Sequence, residues 1–141
     1  MQLDSVFPKR VVTAGPDCQL YEIAELMEQH GVGTVVITRD ERPVGIVTDR
    51  DLALELGTGR FVRSEPVRAI MSEAITTISC HEGILGATRR LCNSAVRRLP
   101  IVDDDGRLVG VVSLDDLLVL LGHEIGNLAA VVGQELVLAG R

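Results

Sequence analysis

Apolar positions along this chain change their spacing in a fixed order, and that order occurs twice. Leu20, Ile23, Ala24 and Met27 are spaced i, i+3, i+4, i+7, as one buried face of a helix requires, and Ile84, Ala87, Thr88 and Leu91 repeat the stripe. Each stripe is followed by two β-branched runs joined by an acidic turn. These are Val35-Val36-Ile37 then Val44-Gly45-Ile46-Val47, and Leu99-Pro100-Ile101-Val102 then Leu108-Val109-Gly110-Val111-Val112. Such runs suit half-buried strands. A short extended segment precedes each stripe (VVTAGPD, 11–17; ITTISCH, 75–81), and a closing helix is predicted to begin at Thr48 and at Ser113. The predicted order is β-α-β-β-α, twice.

The repetition extends to residue identity. PVGIVTDRDL (43–52) returns as LVGVVSLDDL (108–117), with Gly45 and Gly110 standing 65 residues apart. HGVGTVVI (30–37) matches SAVRRLPI (94–101) at an offset of 64, so a one-residue slip falls in the turn where RDERP becomes DDDGRL. Insertions are cheapest at loop tips. The organisation read from this is a first repeat over 5–58, a Gly-, Arg- and Pro-containing linker over 59–69, a second repeat over 70–122 and a helical extension over 123–141. In the extension Ile125, Leu128, Ala129, Val132 and Leu136 mark an apolar face, which either covers the parent core or meets a partner. A unit of about 50 residues buries little surface alone, so the copies are expected to pack as one α/β (α+β) domain.

Composition narrows the function. The 141 residues carry a formal net charge of −6, and the aromatics are only Phe7, Tyr21 and Phe61. There is neither the basic field nor the stacking platforms that nucleic-acid binding needs. No continuous apolar run approaches the roughly 20 residues of a membrane span, and MQLDSVFPKR lacks a signal-peptide core. A cytoplasmic protein without membrane contact is expected. Cys18, Cys80 and Cys92 form no C-x-x-C pair, which argues against a disulfide framework. Cys80-His81 is a candidate metal or redox site only if Cys18, Cys92, His30 or His123 joins it through the fold or a dimer, since zinc takes three or four ligands. No nucleophile elbow, H-E-x-x-H or complete phosphate loop is present. Neither catalysis nor a resident cofactor is expected.

The remaining chemistry sits where the second strand of each repeat meets its last helix, at Thr48-x-x-Asp51 and Ser113-x-x-Asp116. Two readings stay open. The pattern is that of a capping box, in which hydroxyl and carboxylate satisfy the helix's own amides. Equally, a helix N-terminus favours a phosphate, the hydroxyl adds a donor and the carboxylate can accept from a ribose diol. Ile46 and Val111, just before the helices, would wall a base.

The paired G-h-h-T/S-x-x-D motif (Gly45 to Asp51, Gly110 to Asp116), the R-R-L-P-I-V-D run at 97–103 and Ile70-Met71 ahead of the second copy resemble the CBS-domain family. Tandem pairs of such domains are called Bateman modules. The resemblance covers about residues 5 to 122 and is closest in kind to small stand-alone bacterial pairs. It implies a pseudo-twofold disc that self-associates as a homodimer and binds AMP, ADP, ATP, S-adenosylmethionine or a similar ligand between the repeats. By that resemblance one site uses Ile46, Thr48 and Asp51 with Thr77, Arg97 and Arg98. The other uses Val111, Ser113 and Asp116 with Thr13 and Thr34. The first adds Arg50 where the second has Asp115, and Arg97-Arg98 where the second has Gly33-Thr34. Guanidinium groups bind phosphate oxygens in pairs, so the Asp51 site is the favoured one. One departure is Val36, standing where the family's usual proline would be in the first repeat. The expectation is a regulatory module sensing an adenine-containing nucleotide and signalling to a separate protein target. The alternatives are a ligand-free dimeric scaffold or a metal- or redox-responsive module built on Cys80-His81.

Overall fold

The computed structural model describes residues 3, 7 and 11–140. Residues 5, 6 and 8–10, which open the first repeat as read from the sequence, and Arg141, which closes the extension, lie outside them. The elements are β1 (Thr13–Ala14), α1 (Leu20–His30), β2 (Thr34–Arg39), β3 (Arg42–Thr48), α2 (Asp49–Gly57), a 3-10 turn (Val67–Ala69), β4 (Ile78–Ser79), α3 (Ile84–Ser94), β5 (Arg98–Val102), β6 (Leu108–Ser113) and α4 (Leu114–Ala139). They build two three-stranded sheets, β1-β2-β3 and β4-β5-β6. In each, a short parallel strand lies beside an antiparallel hairpin, and Ala14 pairs with Ile37 as Ile78 pairs with Ile101. A register shift follows Ile37 in one hairpin and Ile101 in the other. The sequence repeat is thus a structural repeat, down to its irregularities.

The one-residue slip has a physical expression in the two hairpin turns. Arg39 pairs with Arg42, which leaves Asp40 and Glu41 as a two-residue turn with φ of 51° and 64°. Left-handed backbone at both positions is what a type I′ turn needs, here without glycine. The second turn is longer. Asp103 Oδ1 accepts from the amides of Asp105 and Arg107, and Gly106 takes the left-handed position at φ 79°.

Helix α1 buries Leu20, Ile23 and Met27 as its stripe requires, while Ala24 is exposed. Its start is fixed by Glu22 Oε2, which accepts from the Gln19 amide at 2.8 Å, and its end by Gly31 in the left-handed conformation. One core gathers these side chains with Val35, Ile37 and Val47. The second gathers Ile78, Ala87, Leu91, Leu99, Ile101, Val112 and Leu117.

Neither core is closed by its own unit. Val67, inside the stretch read as a linker, is fully buried in the first core, and Leu3 and Phe7 are buried in the second. The backbone repeats the exchange: the Val67 amide donates to Cys18 O at 2.8 Å, and the Leu3 amide to Glu82 O at 3.2 Å. Met71 then donates to Val67 O as Phe7 does to Leu3 O. Leu3 and Val67, like Cys18 and Glu82, are 64 residues apart, so these are the same contact in two copies. The hairpins also touch: the Leu108 amide donates to Glu41 O at 2.8 Å and Arg42 Nε to Asp105 O at 3.0 Å. Ile46 and Ser72 exchange two backbone hydrogen bonds, and a Cβ on Gly45 would stand 2.5 Å from Met71 Sδ, so glycine is needed for that approach.

Helix α4 departs from expectation. Instead of a closing helix followed by a separate extension, it runs unbroken for 26 residues. Leu117 is buried and Leu114 and Leu120 pack against the second core, but every residue from Leu121 to Ala139 is exposed. By length and composition it is apolar enough to cross a membrane, which corrects the reading that no such segment exists. In sequence the run is interrupted by His123, Glu124, Asn127, Gln134 and Glu135, whereas the helix gathers them along one side.

Candidate functional site

Both strand-to-helix junctions form the capping box. Thr48 Oγ1 accepts from the Asp51 amide at 3.2 Å, and Asp51 Oδ2 accepts from the Thr48 amide at 2.8 Å. Ser113 Oγ accepts from the Asp116 amide, and Asp116 Oδ2 from the Ser113 amide, each at 3.0 Å. Capping does not exhaust these groups. Each hydroxyl keeps its own hydrogen to donate, and each carboxylate keeps a second oxygen. Thr48→Ala is therefore expected to lower the stability of the ligand-free protein by about 1 kcal/mol, read as a midpoint drop of a few degrees in thermal denaturation. An unchanged midpoint would show that the box contributes nothing.

Two crevices open beside these caps, one per junction. The first, about 300 Å³, takes Ile46, Thr48, Asp49 and Arg50 from the first repeat and Val96, Arg97 and Arg98 from the second. Its remaining wall is the segment carrying Ser72, Ala74, Ile75 and Thr76. The second, about 380 Å³, is lined by Val111, Ser113 and Asp116 together with Arg98, and by Val11, Val12, Val36 and the Gly31–Thr34 turn. The structure therefore brings Ile46, Thr48, Arg50, Arg97 and Arg98 together, and Val111, Ser113, Asp116 and Thr34 together.

Three candidate residues are placed elsewhere. Asp51 turns its carboxylate onto its own helix and is not part of the first crevice's wall. Thr13 and Thr77 do not line the crevices either; Val12 and Thr76, one position earlier, do. Extended backbone alternates its side chains between faces, so a one-residue step reverses which side points in. Ser72, Ile75 and Val96 were not singled out in the sequence. The signal for the first two would have been Ile70-Met71, because Met71 against Gly45 and Ser72 on Ile46 lay that segment over the crevice.

The electrostatics of the crevices differ. The first sets three guanidinium groups against the carboxylate of Asp49, the second sets Arg98 against Asp116. Arg97 is engaged with Asp115 at 3.2 Å in an exposed pair, but Arg50 and Arg98 have no ion-pair partner among the described residues. In the second crevice Thr34 Oγ1 is buried with no hydrogen-bond partner among the described residues. A buried hydroxyl left so costs about 1–3 kcal/mol, and a polar ligand atom would recover it. Gly33 has its own purpose: a Cβ there would stand 2.8 Å from Asp49 Oδ2, so its absence lets α2 begin against the turn, where the Asp49 amide donates to Gly33 O.

The Cys80-His81 reading gains no geometry. His81 Nε2 lies 3.1 Å from Asp104, and Cys80 is buried. Burial, then the hydrogen bond to Glu22 and its charge, push the Cys18 thiol up to about 11, far from thiolate chemistry at neutral pH. Among the described residues no group of three or more His, Cys, Asp and Glu side chains is placed to hold a metal ion.

The sequence profile described as "CBS domain" matches residues 4–57 and again 67–123. The chain belongs to the CBS-domain family. Its CBS pair is 35% identical over 120 residues to the uncharacterized protein MK0525 of Methanopyrus kandleri, covering 84% of this chain but 61% of that protein. It is 34% identical to the CBS domain-containing protein YhcV of Bacillus subtilis, covering 78% of each. Among solved structures it resembles the CBS-domain pair of protein MJ0100 in complex with 5′-methylthioadenosine and S-adenosyl-L-methionine, with a TM-score of 0.78, 23% identity and coverage of 88% and 98%. It also resembles the CBS domain protein PAE2072 of Pyrobaculum aerophilum complexed with AMP, with a TM-score of 0.76, 22% identity and coverage of 87% and 99%. At these identities the two structures establish the fold: a mixed α/β CBS pair with its two sheets, plus the long C-terminal helix.

Proposed function

We propose that this CBS pair is a non-catalytic regulatory module that binds an adenine-containing nucleotide in the Asp51 crevice. The carrying observation is the convergence of Thr48, Arg50, Arg97 and Arg98 around one crevice walled by Ile46, Ile75 and Val96. Apolar walls take a base, and the hydroxyl and guanidinium groups take phosphate oxygens; Asp51, whose carboxylate has one oxygen left over by the capping box, is the proposed acceptor for a ribose hydroxyl. AMP, ADP, ATP and S-adenosylmethionine all carry these parts, and the two solved relatives bind adenosyl compounds on the same fold. The Asp116 crevice is the weaker site, because its carboxylate offsets the one guanidinium that lines it among the described residues. Occupancy bridges the repeats and shifts their packing toward one state. The module works in the cytoplasm as a homodimer and passes that state to a separate protein.

The test is a thermal-shift and calorimetric panel with AMP, ADP, ATP and S-adenosylmethionine. A ligand at 100 times its Kd stabilises by about 2.7 kcal/mol, a rise of roughly 5–10 °C for a chain of this size. A flat panel overturns the proposal in favour of a ligand-free scaffold, the reading that the two completed capping boxes favour. Binding abolished by Asp116→Ala and untouched by Asp51→Ala overturns the ranking of the crevices.

A further inference from the structure

Helix α4 leaves the second repeat after Leu120 and continues into solvent for about 28 Å at 1.5 Å per residue. Intrinsic propensity does not account for this. Gly122, Gly126 and Gly133 each weaken a solvated helix by about 1 kcal/mol relative to alanine, and helical stability in proteins comes mostly from a packed face. The face is present: Ile125 and Leu128 are 66% and 69% exposed, and Leu118, Val132 and Leu136 are similarly open.

The spacing of that face identifies what covers it. Leu118, Leu121, Ile125, Leu128 and Val132 follow one another at intervals of 3, 4, 3 and 4 residues, the seam of a left-handed coiled coil. Leu118, Ile125 and Val132 fall at a positions, Leu121 and Leu128 at d. Two of the three a residues, Ile125 and Val132, are β-branched and both d residues are Leu, a combination that favours two parallel strands. Gly122 and Ala129 fall at the flanking e positions, where they allow close approach. Glu124, at g, faces Ala129 of the opposite strand rather than another carboxylate. The same stripe on both partners satisfies a twofold interface. Covering five or six such apolar side chains on each copy brings the pair to about the 1,200 Å² of a small stable interface. A lipid surface is the poorer occupant, because α4 has no Lys, Arg, Trp or Tyr to anchor it, carries Glu124 and Glu135, and belongs to a chain of net charge −6.

We infer that α4 is the self-association element of this protein, pairing in parallel with α4 of a second copy through the Leu118–Val132 seam. The inference rests on the homodimer proposed above and assigns its interface, independently of nucleotide binding. Light scattering on the full chain is expected to give the dimer mass, and Ile125→Asp with Leu128→Asp is expected to halve it with an unchanged circular dichroism midpoint for the repeats. In a Cys92→Ser background, Val132→Cys is expected to cross-link to itself on mild oxidation, since a positions face each other in parallel pairs. A monomeric parent protein overturns both the homodimer and the seam. A double variant that keeps the dimer mass, or a dimer in which the Val132→Cys protein fails to cross-link, overturns the seam alone. Co-sedimentation with phosphatidylcholine–phosphatidylserine vesicles, lost in the double variant, overturns it in favour of a bilayer.

Discussion

Arg98→Ala is expected to weaken AMP binding about 10- to 100-fold, with the midpoint of thermal unfolding little changed. Arg98 opens β5 and lines both crevices, and no carboxylate lies within ion-pair distance of it among the described residues. Its charge is thus available to a phosphate from either side. A hydrogen bond to a charged group contributes about 1.5–3 kcal/mol, which sets the expected range. Arg98→Lys should recover only part of the loss, because an ammonium keeps the charge but not the two-pronged geometry. Calorimetric titration of AMP into the three proteins measures this. A change under threefold in Arg98→Ala would place the phosphate elsewhere. Any residual binding at the Asp116 crevice should fall as well, because no other guanidinium among the described residues lines that crevice. Arg97→Ala serves as the comparison. Arg97 already faces Asp115, so its removal should cost less affinity than that of Arg98.

Leu3→Ala is expected to destabilise the protein by about 3 kcal/mol, the usual range for a buried leucine being about 2–5 kcal/mol. For a chain near 150 residues this lowers the midpoint by about 10 °C. The reason is the exchange of segments between repeats. Leu3 is fully buried in the second core, against strands more than seventy residues away in sequence, and its amide is bonded to Glu82 O. Val67→Ala probes the copy of this contact in the first core and should act in the same direction by a smaller amount, since two carbon atoms are lost rather than three. Denaturant unfolding followed by circular dichroism reads both. If Leu3→Ala costs less than 0.5 kcal/mol, the N-terminal segment does not close the second core in solution. Because each repeat is closed by a segment from outside its own unit, both variants should keep a single cooperative transition.

The repeat, its element order and the two strand-to-helix junctions are legible in the residues alone. Those are local properties: the 3.6 and 2.0 periodicities and the T/S-x-x-D spacing are written within a few residues of one another. The sequence also carried the asymmetry between the sites, since Arg50, Arg97 and Arg98 have no cationic counterparts at Asp115, Gly33 and Thr34. Tertiary structure alone decided which threonine faces a crevice. A single step along an extended segment exchanges Thr77 for Thr76, and no local pattern there fixes the face. It alone decided that Ser72 and Ile75 wall the first crevice, that Arg98 stands between both, and that Leu3 and Val67 close each other's cores. These are contacts between positions tens of residues apart, set by how two weakly stable units bury their open faces together. The continuity of α4 belongs to the same class: its polar residues interrupt the apolar run in sequence but fall along one side of the helix, and only the folded backbone shows a single uninterrupted surface.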